Sequence, residues 1–108
     1  KCGRAVDILK SLPADIEPFD FIFIDADKQS YPEYLELSLN LSHSGTLIFL
    51  DNVIRAGDII NPENHKPSIE GIRDMFKAMQ NHPKILSCTA LQTVGSKGHD
   101  GFALAIVK

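Results

Sequence analysis

The chain has 108 residues, 44% of them hydrophobic, and a formal net charge of −3. This length allows one domain at most, and the 11 Lys and Arg residues do not cluster, which argues against a nucleic-acid-binding surface. No apolar run approaches the roughly 20 residues that cross a bilayer, and no signal peptide opens the chain, so we expect a cytoplasmic protein without a membrane partner. Cys2 and Cys88 are too far apart to suggest a disulfide framework, and we expect reduced thiols.

The first half of the chain predicts a helix, a strand, a helix and a strand, in that order. Residues 3–12 carry apolar side chains at helical spacing. Phe19–Ile24 is short and almost continuously apolar, which is typical of a strand buried on both faces of a parallel sheet. Residues 31–41 predict the second helix, with Gly45 as a left-handed cap, and residues 46–50 predict the second strand. This order predicts two parallel strands joined by a right-handed crossover.

The second half predicts a long loop, one helix and a hairpin. Residues 53–67 contain Gly, Asn and Pro and predict a loop of a length that usually signals function or disorder. Ser68 is the predicted N-cap of a helix whose apolar stripe runs to Met79. Residues 85–94 and 101–107 predict two closing strands that pair as a hairpin around a Gly-rich turn.

Polar side chains follow both strands of the predicted parallel pair. Asp25 comes directly after the first strand, and Asp51 and Asn52 come directly after the second. Ligands of open α/β sheets bind at the carboxyl ends of the strands, where these side chains would converge. Two carboxylates and an amide oxygen suit Mg²⁺, Mn²⁺ or Ca²⁺ better than zinc. The alternative is that each Asp only forms a turn or caps a helix, and the spacing alone leaves both possibilities open.

Lys28 lies three residues beyond Asp25, just past the same strand end. One interpretation is a solvated surface lysine. The other is a general base, because partial burial and a nearby cation would both favour the neutral amine. A cation would also acidify a hydroxyl beside it, so the pair suits deprotonation of a phenol or catechol oxygen.

These residues also carry a resemblance to a known family. Residues 19–28, FDFIFIDADK, followed by Tyr31, closely resemble the central strand motif of the cation-dependent O-methyltransferases. That family includes caffeoyl-CoA O-methyltransferases, their bacterial relatives and, more distantly, catechol O-methyltransferase. The resemblance covers essentially the whole chain, through residues 3–9, residues 44–53 with Gly57, and the closing segment 100–104.

The resemblance implies a fold and a set of site residues. The fold is α/β: the C-terminal half of a Rossmann-like methyltransferase that depends on S-adenosylmethionine (SAM), with a mixed sheet whose last strand is antiparallel. Ala5 matches a backbone contact near the adenine of the cofactor, and Asp27 matches a residue that contacts SAM or the substrate. Lys28 matches the catalytic lysine of the catechol branch. The metal ligands of the family match Asp25, Asp51 and Asn52.

Two departures from the family pattern shape what we expect of this chain. The Gly-rich cofactor loop and the acidic residue that holds the ribose lie upstream of anything present here. Residues 1–108 are therefore expected to be a partial methyltransferase domain that lacks its N-terminal cofactor-binding half. Arg55 and Ala56 stand where plant enzymes commonly carry Trp-Asn, which favours a bacterial-type enzyme over one acting on plant phenylpropanoids.

The resemblance implies transfer of a methyl group from SAM to a metal-bound catechol-like hydroxyl of a small phenolic molecule, by an enzyme that forms a homodimer. One alternative is a Mg²⁺-dependent phosphatase of the haloacid dehalogenase type, for which Asp25 and Asp27 would form the DxD motif. Gln29 stands where such enzymes usually carry Thr or Val, and no later acidic pair completes their metal site. The other alternative is a non-catalytic fragment that dimerises through the strand edge that a half-sheet exposes.

Overall fold

A computed structural model describes all 108 residues and shows a four-stranded mixed sheet. The strands are β1 (Phe19–Ile24), β2 (Ser42–Asp51), β3 (Ile85–Gly95) and β4 (Gly98–Val107). Their order across the sheet is β1-β2-β4-β3. β1 and β2 are adjacent and parallel, whereas β4 runs antiparallel to both β2 and β3. The predicted parallel pair, the closing hairpin and the antiparallel last strand are all confirmed.

Three α-helices accompany the sheet: α1 (Ala5–Lys10), α2 (Tyr31–Asn40) and α3 (Pro67–Met79). Two 3₁₀ segments, Lys28–Ser30 and Arg55–Ile60, lie in the connections. The second is kinked, because Ala56 and Gly57 have non-helical backbone angles, so only a short part of the predicted long loop is helical. None of the helices is long and apolar enough to cross a membrane.

Two of the predicted helix boundaries are wrong. α3 begins at Pro67 with Lys66 as its N-cap, not at Ser68, because the fixed φ of proline suits the first position of a helix. Gly45 does have a left-handed φ of 91°, but it lies inside β2 and caps no helix. β2 begins at Ser42, whose backbone pairs with Phe19, so the strand extends past the glycine.

The helices cover only one face of the sheet. The core on that face consists of side chains from β1, β2 and β4 packed against α2 and α3, among them Ile24, Tyr31, Leu35, Ile48, Leu50, Ile72, Met75 and Ala105. On the opposite face, Phe21 and Phe23 are each 54% exposed. The prediction that β1 is buried on both faces is therefore wrong for this chain, because its alternate side chains point to a face that no helix covers.

A row of aromatic rings crosses the open face. Phe23 and Phe49 lie with ring centroids 5.3 Å apart, and Phe49 stacks on Phe102 at 4.7 Å. These offset and tilted arrangements are favourable for aromatic rings. The row links β1, β2 and β4, with Phe49 and Phe102 partly buried and Phe23 exposed.

Gly71 brings α3 against the backbone of the 3₁₀ segment that carries Lys28. A Cβ on Gly71 would lie 2.6 Å from Gln29 Cα and would also clash with the Lys28 carbonyl oxygen. Both obstacles are backbone atoms, so they cannot move aside as a flexible side chain could. The missing side chain at Gly71 thus permits the close packing of α3 against the Lys28 segment.

We therefore expect Gly71→Ala to lower the free energy of unfolding by about 1–3 kcal/mol, the usual cost of overpacking. Thermal or denaturant unfolding measures this loss. Asp74→Ala on the same helix is the matched control, since Asp74 is exposed and its replacement moves nothing towards Lys28. An unchanged stability of Gly71→Ala would show that α3 can shift without cost.

Candidate functional site

The carboxyl ends of β1 and β2 meet at one edge of the sheet. Ile24 and Leu50 are register partners across the parallel pair, so Asp25 and Asp51, the residues that follow them, leave the sheet at neighbouring points. Asp25 is exposed, whereas Asp51 and Asn52 are half-buried. Parallel strands lie about 4.8 Å apart, which brings the three predicted metal ligands to the same edge.

Lys28 is buried at this edge, with only 8% of its surface exposed. The 3₁₀ segment Lys28–Ser30 turns its side chain back towards the strand ends. Its Nζ donates to Asp25 Oδ1 at 3.2 Å, to Asn52 Oδ1 at 3.4 Å and to the hydroxyl oxygen of Tyr31 at 2.6 Å. The interpretation of Lys28 as a solvated surface lysine is therefore wrong.

Tyr31 contacts both Lys28 and the ends of the two parallel strands. It is fully buried, and its hydroxyl lies within donating distance of the carbonyl oxygens of Asp51, at 2.7 Å, and Ile24, at 3.2 Å. Burial, with smaller contributions from the carboxylates of Asp25 and Asp51, raises the pKa of Tyr31 far above its usual value. The phenol therefore stays protonated and donates to the strand ends while its oxygen accepts from Lys28.

Asn52 occupies a strained position that orients its side chain. Its φ is 59°, in the left-handed region that Asn tolerates better than most residues. Its Nδ2 donates to Asp100 Oδ2 at 3.1 Å, and its backbone N–H donates to Asp51 Oδ1 at 2.8 Å. The carboxamide oxygen then points at Lys28, on the side of Asp25.

Asp100 lies at the start of the closing strand and collects several donors. Burial by itself would raise the pKa of Asp100, but the N–H of Arg55, the carboxamide of Asn52 and the N–H groups of Gly101 and Ile54 together lower it. A carboxylate with this many donors remains ionised at neutral pH. Sequence reasoning had marked Asp100 only as part of a strand motif, because nothing in the local pattern shows that Asn52, 48 residues away, is its partner.

The oxygen atoms at this edge fit a hard divalent cation in their chemistry. Asp25 Oδ1 and Asn52 Oδ1 already converge on one positive charge, the ammonium of Lys28. Asp51 Oδ1 accepts the N–H of Asn52, so the structure gives that carboxylate a local role. No three His, Cys, Asp or Glu side chains gather as a metal-binding group, here or elsewhere in the structure. The joint ligation of one cation by Asp25, Asp51 and Asn52 stays a prediction.

Ala5 and Asp27, the two predicted cofactor contacts, line a common cavity of about 290 Å³ together with Tyr34. The hydroxyl groups of Ser30 and Tyr34 donate to the Asp27 carboxylate and lower the pKa of Asp27, against a smaller opposing effect of burial. Burial and the hydrogen bond from Tyr34 to Asp27 raise the pKa of Tyr34 to about 12.

A second cavity, of about 250 Å³ and mostly apolar, adjoins the first, since Ala5 and Tyr34 line both. Asp25 and Ala26 also border it, at the end of β1. The structure thus brings Ala5 and Asp27 together, next to the strand end that carries Asp25. Tyr34 is the residue that sequence reasoning missed here, because its spacing marked it only as an apolar position of α2.

Comparison with known proteins identifies the family. The family model described as O-methyltransferase matches residues 1–105. The catechol O-methyltransferase of Niastella koreensis is 48% identical over 109 residues, which cover 100% of this chain and 49% of that protein. The catechol O-methyltransferase of Mycobacterium tuberculosis is 42% identical, with 98% of this chain and 46% of that protein covered.

Solved structures of similar proteins have the same fold. The O-methyltransferase from Bacillus cereus in complex with SAH superposes with a TM-score of 0.92 at 50% identity, covering 98% of this chain and 48% of that one. The O-methyltransferase TomG from Streptomyces achromogenes, in complex with SAM, gives 0.91 at 38% identity with the same coverage. The chain spans about half the length of the relatives it matches. It is a member of the O-methyltransferase family.

Proposed function

We propose that the full-length protein transfers a methyl group from SAM to a hydroxyl of a small phenolic or catechol-like molecule. Residues 1–108 would form one part of its methyltransferase domain. Support comes from the family match over residues 1–105 and from two similar proteins that are named catechol O-methyltransferases. The two similar structures with bound SAH and SAM support the choice of methyl donor. The phosphatase alternative is set aside, because the family match includes the whole segment that carries Asp25 and Asp27.

The observation that carries the proposal is the buried amine of Lys28 at the carboxyl ends of two parallel strands. A lysine is expensive to bury unless its charge is paired or its amine is neutral, and a neutral amine can act as a base. Here Nζ contacts Asp25, Asn52 and Tyr31, all at an edge that is open to solvent on the side of Asp25. A general base needs this combination of an amine held in a fixed position and a side of the site that a substrate can reach.

Asp25, Asp51 and Asn52 would hold a divalent cation, Mg²⁺, Mn²⁺ or Ca²⁺, at the carboxyl ends of β1 and β2. Such a cation, when bound, supplies positive charge that makes a nearby hydroxyl more acidic. Asp25 and Asn52 present to Lys28 the same oxygens that they would present to the cation. Lys28 would then give up those two contacts and keep Tyr31, which holds Nζ at the edge of the site.

The proton and methyl transfers follow from this arrangement. Lys28 must first lose the proton that makes it an ammonium; its neutral Nζ would then accept the proton of the substrate hydroxyl. The oxygen would then attack the methyl carbon of SAM, with the C–S bond breaking as the O–C bond forms and SAH leaving. Tyr31 stays protonated throughout, so it positions Lys28 without competing for the proton.

Ala5 and Asp27 would contact the methyl donor. Their shared cavity adjoins the strand end, and its wall carries both the apolar surface of Ala5 and the ionised Asp27. The apolar surface of Ala5 suits the adenine of SAM, and the carboxylate of Asp27 can accept hydrogen bonds from its polar groups. These two residues supply only part of such a pocket, which agrees with a chain about half as long as its relatives.

The assembly and location of the protein are further parts of the proposal. A homodimer is implied by the resemblance, and the edge strand β3 supports it, since its 11 residues carry no charged side chain that would discourage pairing. Cys2 and Cys88 are exposed and unpaired, which suits the reducing cytoplasm.

A radiolabelled-methyl assay tests the activity. We expect the full-length protein, given SAM and Mg²⁺, to label members of a panel of catechols and not the matching dimethoxy compounds, which have no hydroxyl. The isolated 108-residue chain is expected to be inactive, because methyl transfer needs the donor carbon held in line with the attacking oxygen. Failure of the full-length protein to label any catechol would contradict the proposal, and strong labelling by the isolated chain would show that residues 1–108 suffice.

A further inference from the structure

We propose that Asp100 is a positioning residue that sets the orientation of the Asn52 carboxamide, so that the oxygen of Asn52 faces the candidate cation site. The inference rests on the proposed function in one respect, namely that Asp25, Asp51 and Asn52 hold a divalent cation. It concerns a residue outside that predicted ligand set.

The two oxygens of Asp100 have separate partners. Oδ1 accepts the backbone N–H groups of Gly101 at 2.9 Å, Arg55 at 3.0 Å and Ile54 at 3.2 Å. Oδ2 accepts Nδ2 of Asn52 at 3.1 Å. Asp100 therefore contacts both the backbone after β2 and the side chain at its end.

A carboxylate can only accept hydrogen bonds, and this fixes the carboxamide. Asn52 must turn its NH₂ group towards Asp100, which leaves its oxygen on the opposite side. There Oδ1 lies 3.4 Å from Lys28 Nζ, which also contacts Asp25. If Asn52 were rotated by half a turn, its NH₂ group would face the ammonium and the cation site would lose one of its oxygens.

Asp100 also holds the backbone segment that follows β2. Asn52, Arg55 and Ala56 have φ values of 59°, 55° and 57°, a conformation that residues with a side chain rarely adopt. The N–H groups of Ile54 and Arg55 have Asp100 Oδ1 as their partner. The Gly101 carbonyl oxygen accepts the N–H of Val53 at 3.0 Å, so the segment from Asn52 to Arg55 is tied to the start of the closing strand.

The variant Asp100→Asn tests the two roles of Asp100 separately, because it can keep the contacts to the backbone while losing the contact that orients Asn52. The new side-chain oxygen can keep the three N–H contacts, which leaves its NH₂ group opposite the NH₂ group of Asn52. Two donors cannot pair, so Asn52 is expected to rotate and point its own NH₂ group at the cation site. Loss of such a supporting contact typically lowers metal affinity by about 10- to 100-fold.

The double variant, which combines Asn52→Asp with Asp100→Asn, restores a matched pair. The carboxamide introduced at position 100 can then donate to one oxygen of the carboxylate introduced at position 52, while the other oxygen of that carboxylate faces the cation. In the single variant Asn52→Asp, two carboxylates face each other instead. The change Asp100→Asn should thus weaken cation binding when position 52 carries the native amide and strengthen it, or leave it unchanged, when position 52 carries a carboxylate.

The experiment is isothermal titration of Mn²⁺ into the four purified full-length proteins: wild type, the two single variants and the double variant. Thermal unfolding without Mn²⁺ is recorded for each. We expect similar unfolding temperatures for wild type, Asp100→Asn and the double variant, and a lower one for Asn52→Asp, whose two facing carboxylates repel each other. Weaker binding caused by Asp100→Asn in the native background, together with stronger or unchanged binding in the Asn52→Asp background, would support the proposal, since such a cycle isolates the interaction between the two side chains.

Four outcomes would overturn the inference. Weaker binding in both backgrounds would show that only the charge of Asp100 matters, and equal binding by Asp100→Asn and wild type would show that Asn52 keeps its orientation unaided. Unfolding of Asp100→Asn would assign Asp100 a purely structural role. If the wild-type protein binds no Mn²⁺, the cation part of the proposed function fails and the inference falls with it, which is distinguishable from failure of the variants alone.

Discussion

Replacing Lys28 with Ala is expected to lower the turnover of the full-length protein by roughly 10²- to 10⁴-fold, the usual contribution of a positioned general base. The reason is that Lys28 Nζ is the only amine held at the strand ends, with Tyr31 and Asp25 fixing its position. Binding of Mn²⁺ should change little, because Lys28 donates to the candidate ligands and supplies no oxygen itself. Initial rates at saturating SAM and catechol measure the loss.

Two further variants make the interpretation specific. Lys77→Ala, on the exposed surface of α3, removes an amine that contacts only Asp74 and should leave turnover unchanged. Lys28→Arg keeps the positive charge but cannot provide a neutral base, because the guanidinium does not lose its proton in proteins. Full activity of Lys28→Arg would remove the proton transfer from the mechanism and leave Lys28 a purely electrostatic role.

Replacing Asp25 or Asp51 with Ala is expected to weaken Mg²⁺ binding by more than about 10²-fold, because loss of a supporting contact alone costs about 10- to 100-fold and loss of a ligand costs more. We expect the larger loss of Mg²⁺ affinity for the replacement of Asp25, since its Oδ1 already faces the positive charge of Lys28. Removing it also leaves the buried Lys28 without its carboxylate partner, so Asp25→Asn is tested beside Asp25→Ala.

Calorimetry with Mg²⁺ on the full-length protein measures these affinities. Asp20→Ala is the matched control: Asp20 lies near the opposite end of β1, its side chain is 95% exposed, and it contacts only His43. Mg²⁺ binding by Asp51→Ala as strong as in wild type would contradict the assignment of Asp51 as a ligand. It would leave Asp25 and Asn52 as the protein oxygens at the site.

Local patterns determined most of the secondary structure of this protein. The apolar segment Phe19–Ile24 specified β1 correctly, and the Gly-rich segment between β3 and β4 specified their hairpin. These features depend on side-chain periodicity and turn chemistry within a few residues, so the sequence alone predicts them. The order of strand, helix and strand likewise predicted the parallel pair that brings Asp25 and Asp51 to one edge.

Only the tertiary structure decided how the site is held. The close approach of α3 to the backbone of Lys28 depends on Gly71, and the Asn52 carboxamide donates to Asp100 near the start of β4. Both contacts join residues that lie far apart in the chain, so no local pattern carries them. The open aromatic face of the sheet has the same origin: alternation fixes which side chains of β1 share a face, but burial depends on which elements pack against that face.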